Sequence, residues 1–333
     1  MSELDEPLVR SNIYHPRMAK TLIGHQKEFL DFVRLMKGGV LPHAWLIAGP
    51  LGIGKSTFAW KIAERLILSS VSDKSKKVEL KSQIRALSAP GLLVCEKKLD
   101  STGKKKKKFI TVDEIRELKN FFSMTSLDSG WRVAIIDSGD DLNSSASNAL
   151  LKILEEPPLK SIILIVSHTP ARLRATIKSR CRIVNLRQLT TESKKEVFST
   201  LGVSYSQLSK SDQTDLKILS GESVGMAINW LNNDGITLFQ NCNEIIKGYP
   251  NNEKSIRALE QYVDHLARGL SIIVNILDPD IIVLGGGMSN IEFIYETINQ
   301  ELKKYVFSDI CHTKIVKNVH GDSGGVRGAA WLS

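Results

Sequence analysis

The chain has 333 residues, 42% hydrophobic and 24% charged, the composition of an ordinary soluble globular protein with room for two or three domains. No apolar run approaches the length of a membrane span, and the acidic start "MSELDEPLVR" lacks the apolar stretch of a signal peptide, so the expectation is a cytoplasmic chain with no membrane partner. The net charge of +9 is uneven: residues 253–333 carry 8 Lys/Arg against 10 Asp/Glu, a net −2, and the rest carries +11. A change of character near residue 250 follows. Cys95, Cys181, Cys242 and Cys311 are scattered without a CxxC pair, which argues against a local zinc site and against a disulfide framework.

From residue 43 short β-branched runs alternate with helical periods. Strands are predicted at 43–49, 92–96, 131–137, 162–167 and 182–186. They are apolar on both faces and separated by helices, which reads as a buried parallel sheet. The run "HAWLIAGPLGIGKST" satisfies G-x-x-x-x-G-K-[ST] between a predicted strand and a predicted helix. In that context Gly49, Gly52 and Gly54 let backbone N–H groups curl around a β-phosphate. Lys55 neutralises phosphate oxygens, Ser56 is a ligand for Mg²⁺, and Thr57 belongs to the same nucleotide-binding set. A structural glycine turn is the bland alternative.

Residues 69–108 turn polar and end in the block Lys104, Lys105, Lys106, Lys107 and Lys108. A solvated hairpin tip or flexible loop is one reading, and contact with a DNA backbone is the other. Thr111 to Glu114 form a capping box for a helix with Ile115, Leu118, Phe121 and Phe122 on one face. Asn143 or Ser144 caps the next helix, which Pro157-Pro158 stops. Asp137 ends the third strand, placed to hold Mg²⁺ through a water. The position after it is Ser138, where ring-forming ATPases put a water-activating Glu; binding is therefore favoured over self-catalysed hydrolysis. Asp140 and Asp141 are expected to cap or orient a loop. In Ser179-Arg180-Cys181 the arginine, read alone, is a surface residue.

After Leu189 three amphipathic helices are predicted, then a linker at 248–255, then a second pattern of helix, strand ("DIIVLGG"), helix, strand ("TKIVKNV") and a Gly-rich ending. This later segment shows strand signals where an all-helical domain would not.

The runs "LPHAWLIAGPLGIGKST", "NALLKILEEPP", "IILIVSHTPARLRATIKSRC" and "LSGESVGMAI" resemble the delta-prime family of bacterial DNA polymerase III clamp loaders over residues 10–250. The resemblance implies an AAA+ P-loop domain at 1–187, a helical lid at 188–247, a linker at 248–255, and ATP with Mg²⁺ as the ligands. It also implies partners: the gamma/tau ATPase subunits, delta, and, through the complex, the sliding clamp and primed DNA. Arg180 becomes an arginine finger for a neighbouring subunit. Ser167-His168 takes the sensor position, and adenine lies near Ile23-Gly24-His25. Three departures from the family's pattern mark a subunit that assists its neighbour: there is no cysteine-rich zinc module, no Glu after Asp137, and Gly225-Met226 stands where ATP-reading relatives have an Arg.

The runs "LDPDIIVLGGGMSN" and "GDSGGVRGAAWL" resemble the end of ROK-family sugar kinases, with Gly285, Gly286 and Gly287 in a nucleotide-lobe turn. The implied architecture is an α/β segment at 256–333 like part of an actin-like kinase lobe, standing where a helical collar is expected. No first lobe, catalytic Asp or His/Cys zinc cluster accompanies it. A kinase needs both lobes, so this segment is expected not to phosphorylate sugar. A fusion, a frameshift or an assembly artefact accounts for the junction. A self-sufficient P-loop ATPase and a sugar-kinase fragment stand as the alternative functions.

Overall fold

A computed structural model of the chain describes residues 15–99, 103, 106–123, 130–201, 208–221, 223–248, 251–285, 287–308 and 311–318. The chain divides into two compact units, Met1–Ile236 and Thr237–Ser333.

In the first unit β1 (Ala44–Ala48), β2 (Leu92–Cys95), β3 (Arg132–Asp137), β4 (Ser161–Ser167) and β5 (Arg182–Asn185) form one sheet in the order β2-β3-β4-β1-β5. Every pairing is parallel. Side-chain alternation divides the core into two layers. Trp45, Ile47, Val133, Ile135, Leu164 and Val166 face α1 (Gln26–Lys37) and α2 (Lys55–Ser69), whereas Leu46, Ala134, Ile136, Ile163 and Ile165 face α4 (Val112–Ser123) and α5 (Ser144–Glu155). All seven residues of β4 are buried, as a strand covered on both faces must be.

Asn143 caps α5 by accepting from Ala146 N at 2.8 Å. At α4 the Glu114 carboxylate takes both the Thr111 amide, at 2.8 Å, and the Thr111 hydroxyl. The expected bond from the Glu114 amide to the Thr hydroxyl is thus replaced by a hydroxyl donating to a carboxylate, the stronger charge-assisted pairing.

The helix at Gln26–Lys37 and two further helices, one of them at Gly235–Gly248, were not predicted. Helix α3 (Lys74–Arg85), capped by Asp73, occupies part of the lysine-rich stretch. It buries only Ile84, so it carries little periodic apolar signal. Further on, Leu99 and Lys106 form an antiparallel bridge, and the Lys107 amide donates to Lys98 O at 2.8 Å.

After the short α6 (Ala175–Lys178) and β5, three helices follow: α7 (Thr191–Thr200), α8 (Lys210–Ser220) and α9 (Val224–Asn232). Leu189, Phe198, Leu216, Val224 and Ala227 form their small core.

Helix α10 (Gly235–Gly248) begins at the division between the units, ahead of the linker expected at 248–255, and the next helix already starts at Glu253 behind the cap Asn252. The second unit then contains α11 (Glu253–Leu277), β6 (Ile281–Leu284), α12 (Glu292–Leu302) and β7 (Lys314–Lys317), with β6 and β7 parallel. Val263, Ala267, Leu270 and Val274 of α11 pack with Ile294, Ile298 and Leu302 of α12 and Ile315 of β7. Among the described residues no helix is long and apolar enough to cross a membrane.

Candidate nucleotide-binding site

The parallel sheet brings three strand ends together. In the order β3-β4-β1, Asp137 pairs with Val166 and Ala48 with Ser167, so the loop after β1, the acid ending β3 and the end of β4 share one edge. Loop 49–54 leads into α2, whose first residue is Lys55. Gly52 and Gly54 have φ of +72° and +98°, conformations that a side chain resists, and the loop curls because both are glycine. The α2 N-terminus then directs its unpaired amides at the loop's concave side.

A cleft of about 580 Å³ opens here. Gly52, Gly54, Lys55, Ser56, Thr57, Asp137 and His168 line its polar side. Met18, Leu22, Ile23, Leu189, Val197 and Ile228 line its apolar side. Lys55 is 3% exposed; its Nζ donates to Gly49 O at 2.7 Å and also to Pro50 O. Burial pulls its pKa down to about 8, against the opposing pull of Asp137 and Asp140. Burial likewise raises the Asp137 carboxyl, while a hydrogen bond from Ser56 and the nearby His168 favour its charged form.

Of the pair expected at the sensor position, Ser167 is fully buried and donates to Asp140 Oδ1 at 2.8 Å, and His168 reaches the cleft. Its Nδ1 is buried and has no protein partner, and burial first and then Lys55 lower its pKa. Of the three residues expected near adenine, Ile23 lines the cleft; His25 does not, its Nε2 lying 2.9 Å from Ile53 O, and Gly24 is pressed against Leu189. A glycine cradle, a buried ammonium, a carboxylate bonded to a hydroxyl and an unpartnered ring nitrogen suit a nucleoside polyphosphate. Among the described residues no group of three or more His, Cys, Asp or Glu side chains is arranged for a metal. Ser56 and Asp137 suit Mg²⁺, which takes few protein ligands and completes its shell with phosphate and water.

Ser138, after Asp137, is buried, its hydroxyl 3.4 Å from carboxylate oxygens of Asp140 and Asp141. Arg180 lies outside the cleft, on the turn after α6. Its Nη2 donates to Glu155 Oε1 at 2.6 Å and its Nη1 to Thr176 O at 3.0 Å. Lys106 lies 3.5 Å from Glu96, and Lys108 stands 5.2 Å over the Phe109 ring; Lys104 and Lys105 lie outside the described residues. In the second unit Gly285 follows β6 and Gly287 opens a short turn, while Gly286 and the segment "GDSGGVRGAAWL" lie outside the described residues.

Sequence reasoning did not find the precise task of Asp140, the partner Glu155, or the cleft-lining residues Val197 of α7 and Ile228 of α9. The acids left a local signal in being clustered. Val197 and Ile228 left none, because their place in the cleft depends on how the helices pack.

The family model described as DNA polymerase III, delta subunit, matches residues 24–190, half of the chain. The chain belongs to that family. A second model, the ROK family, matches residues 217–333, beginning inside α8 and well ahead of the residue 256 expected. Similar curated proteins divide the same way. The DNA polymerase III subunit delta' of Pseudomonas aeruginosa is 36% identical over 141 residues, 42% of this chain and 41% of the relative. The N-acetyl-D-glucosamine kinase of Vibrio parahaemolyticus is 44% identical over 90 residues, and that of Photobacterium profundum 43% over 91, each covering 27% of this chain and 30% of the kinase. The chain thus spans well under half the length of these relatives. Among solved structures, a DNA polymerase III gamma subunit-related protein of Thermotoga maritima aligns over 82% of this chain and 91% of its own, with TM-score 0.38 at 15% identity. The Thermotoga maritima RuvB branch migration motor aligns over 88% and 89%, with TM-score 0.40 at 16% identity. The first unit is a mixed α/β fold built on a five-stranded parallel sheet, with the glycine loop between β1 and α2.

Proposed function

We propose that the chain works as a delta-prime subunit of a DNA polymerase III clamp loader, binding ATP with Mg²⁺ and lending Arg180 to a neighbouring ATPase subunit. The observation that carries this reading is the separation of Arg180 from its own cleft: the arginine is surface-exposed, at 36%, and lines no part of the site that holds Lys55. An arginine so placed is out of reach of its own cleft and, once released from Glu155, is open to a nucleotide held by another chain. Its planar fork matches phosphate oxygens, and such a finger is worth about 10³–10⁵ in rate.

Within the cleft the loop amides and Lys55 hold phosphate, Ser56 and Asp137 hold the metal, and the apolar wall by Ile23 and Leu189 receives the base. Bound Mg²⁺ would neutralise phosphate charge. Ser138 has no proton-accepting carboxylate to offer an attacking water, which supports binding without efficient turnover. The reading extends to gamma/tau and delta as direct partners, and to the sliding clamp and primed DNA through the complex. The second unit corresponds to under a third of a kinase, and we assign it no phosphoryl transfer.

The test mixes the full chain with the gamma/tau and delta subunits and measures complex formation and DNA-stimulated ATPase. Entry into the complex, with turnover falling at least 100-fold for Arg180→Ala, is expected. Failure to enter the complex, or unchanged turnover, overturns the reading.

A further inference from the structure

The phosphate loop and the lid meet backbone to backbone. Gly225, the second residue of α9, donates its N–H to Gly52 O at 2.8 Å. A Cβ placed on Gly225 would lie 2.8 Å from Gly52 Cα. One placed on Gly52 would lie 2.1 Å from Ser223 Oγ and 3.2 Å from Gly225 Cα. Neither residue has room for a side chain while the contact is made. Both glycines line the cleft, beside Val224 and Ile228 of the same helix and Val197 and Leu201 by α7. The contact is therefore part of the cleft wall.

From sequence, Gly225 registers only as a missing arginine. Packing gives it a positive part, because the backbones approach this closely only where both residues lack Cβ. We propose that the Gly52–Gly225 contact is a clasp that holds the lid on the phosphate loop and sets how long a nucleotide stays. This rests on reading the cleft as a nucleotide site. Gly225 is a positioning residue: it touches the loop, and through the loop governs the ligand. When the clasp is closed, Val224 and Ile228 narrow the mouth; when it opens, Gly52 O loses its lid partner and the mouth widens. A side chain at 225, arginine included, is compatible only with the open arrangement.

The test uses the full chain and a fluorescent ATP analogue displaced by excess ATP. Gly225→Ala places a methyl against Gly52 Cα and removes the bond, and release is expected to accelerate about tenfold, the scale of one net hydrogen bond. Asn229→Gly weakens α9 on its exposed side without touching the loop, so its release rate stays within about twofold of wild type even if the melting temperature falls. Binding by both proteins with equal release from wild type and Gly225→Ala overturns the clasp alone. No binding by wild type overturns the nucleotide reading and the proposal with it. Should Gly225→Ala fail to fold, amide exchange of wild type decides: a Gly225 amide protected well beyond an open helix end supports the clasp, and unprotected exchange refutes it.

Discussion

Replacing Asp140 by alanine tests whether the end of β4 is held by one carboxylate. Asp140 accepts from Ser167 Oγ at 2.8 Å, from His168 N at 2.5 Å and from Thr169 N at 3.3 Å. Ser167 is fully buried, so its hydroxyl finds no water when the acceptor goes; the exposed Thr169 does. An unsatisfied buried polar group costs about 1–3 kcal/mol. Ser167 Oγ is such a group and the part-buried His168 N adds less, which puts the expected loss at roughly 2–3 kcal/mol for Asp140→Ala. With an m-value on the order of 3 kcal/mol/M, the urea midpoint should fall by about 1 M. Buried Trp45 and Trp60 report unfolding of this unit by fluorescence. Asp141→Ala is the control. Its partner Lys97, at 3.0 Å, is part-exposed, and the change should cost less than about 1 kcal/mol. Equal losses for the two variants, or a loss below about 0.5 kcal/mol for Asp140→Ala, would refute the account.

Because burial holds the Lys55 pKa near 8, well below its usual value, the ammonium that phosphate needs is present below that pH and lost above it. Nucleotide affinity measured by titration should be flat to about pH 7 and roughly tenfold weaker at pH 9, with the slope absent in Lys55→Met; an unchanged wild-type affinity refutes this. Glu155→Gln removes the charge that holds Arg180, so phenylglyoxal should modify Arg180 about two- to fivefold faster, with little change in melting temperature. No acceleration would show that the pair does not restrain the guanidinium. Burial pushes the thiols of Cys95 and Cys181 up to about 12, while Cys242 is exposed; a thiol reagent should label Cys242 before either, and Cys242→Ser should abolish that early labelling.

Local chemistry explains what was legible beforehand. The loop from Gly49 to Ser56 is readable because glycine spacing and a lysine at a helix start act within one turn of chain. The five strands, the caps at Asn143 and Thr111, and the lid helices are likewise short-range matters of period and hydrogen bonding. The second architecture beyond the lid was also legible, since β-branched runs ending in glycine stand out from helical periods. Helix α3 was not, because a single buried Ile84 on a lysine-rich helix produces no stripe.

Sequence alone determined that the chain has a phosphate-type loop, an acid at the next strand end, no glutamate beside it, and two unlike halves. Only tertiary structure decided that Ser167 serves Asp140 while His168 reaches the cleft, that Arg180 rests on Glu155, and that Gly225 lies on Gly52. Each of those pairs joins residues 25 or more positions apart. Their meeting depends on strand order and helix packing, and no local period or spacing encodes it.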